Sequence, residues 1–163
     1  MSIVTQRIYT GDSIVYVGDV YDNQNTWYLD TVKGLDTNSG MSRSAPKKTG
    51  DAVVIACKTA GKTMGRLVVM SGTAFSMVTF NAGNWVDATF PFIDVVVEST
   101  FTQCTWNRFT GCGIFNVVGG IHTFNSCTCN GNSSVKANYC IVNGGTWLGT
   151  MNFDIESYMT VMG

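Results

Sequence analysis

The sequence predicts an all-β chain whose main part is wound as a parallel β-helix, a solenoid of about four to five coils with a short capping helix. Three observations point there. A Thr followed by an aromatic recurs as Thr79-Phe80, Thr100-Phe101, Thr123-Phe124 and Thr146-Trp147, in steps of 21, 23 and 23 residues. A repeat of this size is too short for a helical pair, which needs roughly 34 residues, but suits a coil of short strands. From Val78 onward the apolar residues form β-branched and aromatic runs (Phe92-Ile93, Val95–Val97, Val117-Val118, Ile141-Val142) broken by Gly and Asn, the punctuation of strands and turns. A single helical pattern precedes them.

Taken in order, residues 1–33 read as an N-terminal attachment segment. Ile3-Val4, Ile8-Tyr9, Ile14–Val17 and Trp27–Leu29 are short β-prone pieces, with turns at Gly11-Asp12 and Gly18-Asp19. One or two hairpins are marginal alone, and Tyr16, Tyr21, Trp27 and Tyr28 suit either an interface or packing on the rest of the chain. Residues 34–163 are the β-helix domain. Its polar opening, Gly34 to Ser42, carries Asx and Gly turn chemistry. Thr49 is the predicted N-cap of a helix from Gly50 to Thr59, with Asp51 in its first turn and Gly61 as its C-terminal stop. Ala52, Val53, Ala56 and Cys57 share one face. Arg66 to Thr73 then returns as a strand and turn.

Stacked coils put like residues above one another. The expected internal column is Phe80, Phe101, Phe124 and Trp147, with Cys104 over Cys127 beside it. The alternative is an antiparallel sandwich in which the spacing is accidental. The tail, Asp154 to Gly163, offers Ile155, Tyr158, Met159, Val161 and Met162. It either folds back as a cap or leaves an apolar end that needs a partner.

The run from Gly34 to Thr73 reads G-x-D-x-N-x-G-x-S, Pro, Lys-Thr, a helix with Ala-Val and Ala-Gly, then Val-Val-x-Ser-Gly-Thr. This resembles the opening of the pectin-lyase-like right-handed parallel β-helix found in phage tailspikes and polysaccharide-active enzymes. Gly50 departs from that pattern, which usually has a larger residue there, and four or five coils are few for such enzymes. The resemblance implies a right-handed coil, a helix capping the first turn, and, by analogy with tailspikes, a trimer.

Charge and composition narrow the function. Charged residues are 13% of the chain and the net charge is −1, so no basic patch for nucleic acid is expected. Nor is a membrane span or a secretory signal. The six cysteines, Cys57, Cys104, Cys112, Cys127, Cys129 and Cys140, read as buried thiols rather than disulfides. Cys-x-Cys with one His is not a zinc spacing, and neither a metal nor a cofactor is expected. A glycoside hydrolase needs two carboxyl groups roughly 5–10 Å apart; Asp154 and Glu156 are the candidate catalytic pair. His122 is either an acid–base group or structural. Trp85, Trp106 and Asn107 are the candidate carbohydrate contacts, since flat rings and amides suit sugars, although Asn is also an ordinary turn residue.

The resemblance to tailspikes, with the scarcity of acids and the open end, implies a structural function: a virion-associated tailspike, fibre or capsid-decoration protein is expected, made in the host cytoplasm, contacting copies of itself and other virion proteins, with host-surface glycans as a further expected contact. The alternative is a polysaccharide lyase or hydrolase.

Overall fold

Alternation of apolar and polar residues at period two gives short strands with one face inward. In the computed structural model, which describes residues 7–10, 13–16, 25–61, 65–70, 76–82, 91–110, 116–129, 133–148 and 150–163, these strands begin with β1 (Arg7–Thr10) and β2 (Ser13–Tyr16). The two pair antiparallel as a sheet of their own. There follow β3 (Thr26–Asp30), helix α1 (Gly50–Thr59), β4 (Gly65–Met70), β5 (Ser76–Asn81), β6 (Phe92–Val97) and β7 (Thr102–Asn107). The chain continues through β8 (Asn116–Val118), β9 (Ile121–Asn125), β10 (Thr128–Cys129), β11 (Ser133–Asn143), β12 (Thr146–Trp147) and β13 (Met151–Met162).

Nine strands form one sheet in the order β3-β4-β6-β8-β11-β9-β7-β5, with β13 on the remaining edge of β11. All its pairings are parallel, and the sheet curls through 271°. It has two arms, β3–β4–β6–β8 and β5–β7–β9. The long strands β11 and β13 span both. β10 and β12 make a separate parallel pair. The protein is thus all-β with one short helix among the described residues, compatible with a parallel β-helix. β3 lies within the stretch 1–33 read as a leader, and it forms an edge of the main sheet, with Trp27 and Leu29 buried.

The core is built of ranks in register. On the first arm Trp27, Leu67, Val95, Val117, Val135 and Phe153 succeed one another from strand to strand. On the second, Val78, Cys104, His122 and Cys140 form one rank, and Phe80, Trp106, Phe124 and Val142 the next. Phe80 stacks on Trp106 at 4.0 Å between ring centres and 6° between planes. Trp106 lies at 6.3 Å and 12° from Phe124. The interior is a continuous close-packed column, where dispersion and burial act together.

This corrects the expected column in two places. Phe101 is 55% exposed, because it sits in the turn before β7, and the ring on the core rank is Trp106. Trp147 is half-buried on β12 and meets Phe124 edge-on at 6.0 Å and 90°; the next rank after Phe124 is Val142. The registered copies are Thr79-Phe80-Asn81, Thr105-Trp106-Asn107, Thr123-Phe124-Asn125 and Ile141-Val142-Asn143, in steps of 26, 18 and 18 residues. Likewise Cys104 neighbours His122 rather than Cys127, which belongs to the turn before β10.

Helix α1 matches its predicted limits. Thr49 is extended, at φ −113° and ψ 150°, and its hydroxyl accepts from Ala52 N–H at 3.3 Å. Val53, Val54 and Cys57 are buried in the core. Gly50 has a steric reason: a Cβ there would lie 2.5 Å from the Thr79 carbonyl oxygen and 2.8 Å from Phe80 Cδ1. The missing side chain lets the helix begin flush against β5.

Candidate functional site

The two ends of the curled sheet are finished differently. At the β3/β5 end the backbone is covered. Lys47 N–H donates to Tyr28 O, and Tyr28 N–H and Asp30 N–H donate to Gly40 O and Lys47 O, so the 40–47 loop occupies the outer edge of β3. Asp36 holds that loop to the helix: its carboxylate accepts from Lys48 N–H, Thr49 N–H and the Thr49 hydroxyl. Slight burial pulls the Asp36 carboxyl upward, but the Thr49 and Lys48 hydrogen bonds and the Lys47 charge outweigh it and hold it below its usual range. Asp51, in the first turn of α1, accepts from Asn81 N–H at 2.9 Å and caps β5.

A side-chain ladder starts from the same carboxylate. Asn81 Nδ2 donates to Asp51 at 3.1 Å. Asn107 donates to Asn81 at 2.7 Å, Asn125 to Asn107 at 2.8 Å, and Asn143 to Asn125 at 2.8 Å. Every amide points its donor toward Asp51, so the row is polarised and anchored on a charge, an arrangement that strengthens its members. Asn107, Asn125 and Asn143 also precede sharp turns, in which Arg108, Ser126 and Gly144 take positive φ of 58°, 51° and 63°. The row stops because β13 puts Met162 beside Asn143. Asn143 Oδ1 is then buried and accepts no hydrogen bond among the described residues.

At the other end β13 pairs with β11 along one edge, and no described strand pairs with its other edge. Its inward ranks are also uncovered. Val161 follows Val142, which is 3% exposed, yet Val161 is 64% exposed. Tyr158 stacks on Tyr139 at 5.4 Å and 21°, and it and Met162 are exposed. Leu148, 72% exposed, adds to the apolar surface of this part of the chain. A twelve-residue edge with open hydrogen-bonding groups and apolar residues is a template for another strand.

Among the described residues, the candidates for chemistry, Asp154 and His122, lie apart from one another. Asp154 is exposed on β13 and lies 3.5 Å from Lys136 Nζ, its neighbour in register on β11; a pair this exposed contributes little. Glu156 lies on the same strand, and its side chain is outside the described residues. His122 is structural. It is fully buried, its Nδ1 accepts from Trp106 Nε1–H at 3.0 Å, and its Nε2 lies 2.7 Å from the Gly119 carbonyl. This network fixes the neutral tautomer with the proton on Nε2. Burial pushes the imidazole down to about 4, against the pull of the Gly119 carbonyl.

Of the candidate carbohydrate contacts, Trp106 is buried and presents no face to a sugar. Asn107 is engaged on both sides in the ladder, and Trp85 lies outside the described residues. The ladder and the core role of Trp106 were missed, although the recurring Thr-aromatic-Asn triplet signals both. Cys57, Cys104, Cys127, Cys129 and Cys140 are buried, and burial pushes the Cys104 and Cys140 thiols up to about 12 and about 11. Cys112 is outside the described residues. Among the described residues no three His, Cys, Asp or Glu side chains come together as a metal site, and no helix is long and apolar enough to cross a membrane. No known protein family, curated protein or solved structure matches this chain.

Proposed function

We propose that this chain is a structural subunit of a larger assembly, a virion-associated spike, fibre or decoration protein. Its curled sheet and the separate β10–β12 pair are read together as the coils of a right-handed parallel β-helix. The observation that carries this reading is the contrast between the ends: one sealed by a loop and a helix, the other bare along β13. A solenoid must cover its terminal apolar ranks, and association is the means available to β13. The resemblance of residues 34–73 to the tailspike opening supports the same reading and favours a trimer. Contact with host-surface glycans, the second part of the proposal, falls on the exposed Tyr158 and its neighbours rather than on Trp106.

Sedimentation and light scattering over a wide concentration range test the reading. Self-association is expected, weakened about tenfold or more by Val161→Lys, which sets a charge on the uncovered rank. A chain that stays monomeric throughout overturns it. Depolymerisation of an acidic or neutral polysaccharide, lost in Asp154→Ala, would replace it with the enzymatic alternative.

A further inference from the structure

The bare edge of β13 has a complement in the same chain. β1 and β2 make a two-stranded antiparallel sheet that no described strand of the main sheet joins. Four-residue strands in an isolated pair are marginal in water, and a third strand is what such a pair lacks. β13 offers a twelve-residue strand whose edge away from β11 is taken by no described strand. The charges are also of opposite sign: Arg7 is the one charged residue of β1 and β2, whereas β13 itself carries Glu156 and Asp154, the latter also facing Lys136 of β11.

Reach decides between the same copy and another. Nine residues separate Tyr16 from Thr26, a span of roughly 34 Å when fully stretched. The first arm places β13 five strands beyond β3, so a strand added outside it lies roughly 29 Å away. Docking within one copy would need a nearly straight linker, whereas docking on a neighbour needs no stretching. We infer that the β1–β2 hairpin of one copy adds as an extra strand pair to the β13 edge of a second copy.

Main-chain hydrogen bonds along the edge would supply the binding, as in other strand additions. The contact is head-to-tail, because each copy gives a hairpin and receives one on a different surface; it closes into a ring or runs on as a filament. This inference rests on the assembly reading above and names the partner surface for it.

Two full-length variants test it. Ile8→Pro with Val15→Pro disrupts a registered pair of the hairpin. Asp154→Lys with Val161→Lys alters the edge at two exposed positions. Each variant alone should associate about tenfold or more weakly than the parent. Mixed in equal amounts they should form a one-to-one complex, since one keeps a working edge and the other a working hairpin. If the hairpin variant associates like the parent, the edge meets something else, and the inference falls while the assembly reading stands. If the mixture stays monomeric with both variants folded by circular dichroism, the inference also falls. If the parent chain itself is monomeric, both fall. A synthetic peptide of residues 5–18 gives a measure that depends on neither variant's folding. It should dissociate the parent assembly, and no effect at large excess counts against the hairpin.

Discussion

Trp106 is the residue on which the second arm turns. It stacks on Phe80 and Phe124, meets Phe109 edge-on, and donates its N–H to His122. Trp106→Ala should cost roughly 3–5 kcal/mol in urea unfolding, because it opens a cavity and orphans a buried acceptor. Phe101→Ala, at a half-exposed ring, should stay within about 0.5 kcal/mol. The two changes together separate the observed register from the expected one. His122 gives a pH signature. Its folded pKa of about 4 lies below the ordinary 6.5, so the unfolded chain binds the proton more readily. Stability is then complete above about pH 6.5 and falls as the pH drops toward 4, by roughly 3 kcal/mol over that window. His122→Gln should remove this acid limb while Asp36, held below its usual range, keeps its own.

At the scale of elements, the amide ladder and the cap carry separate expectations. Asn125 both gives and receives a ladder bond, so Asn125→Ala should lose about 2 kcal/mol, more than Asn143→Ala at the end of the row. Gly50→Ala sets two effects against each other. Alanine improves helix propensity by about 1 kcal/mol, but its methyl collides with the Thr79 carbonyl and the Phe80 ring; overpacking costs about 1–3 kcal/mol, and a lower melting temperature is expected. The helix was legible because its signals are local: a cap at Thr49, an acid at Asp51 and a stop at Gly61 act within a few residues of one another. Strand register was less legible. It depends on how many residues separate each rank position from the next in register, and those counts differ, 26 and then 18. Even spacing therefore points to Phe101, although Thr105-Trp106-Asn107 carries the better match to the triplets that stand in register. The open edge was legible in its apolar residues Tyr158, Val161 and Met162, whereas the parallel pairing of β13 with β11 across both arms could be seen only in three dimensions.

The molecule as a whole is a stack with polarity. The amide row runs toward Asp51, the lid and loop cover that end, and the apolar ranks run out at Val161. The same polarity has a consequence for how the protein comes into being. Helix α1 and the loop before it precede most of the strands they shelter in the chain. They leave the ribosome before those strands, so each strand of the main sheet after β5 emerges with a pairing partner already in place. The nascent protein can wind itself up in the order in which it is made, keeping one growing rim exposed at any moment, and β13 lies on that rim.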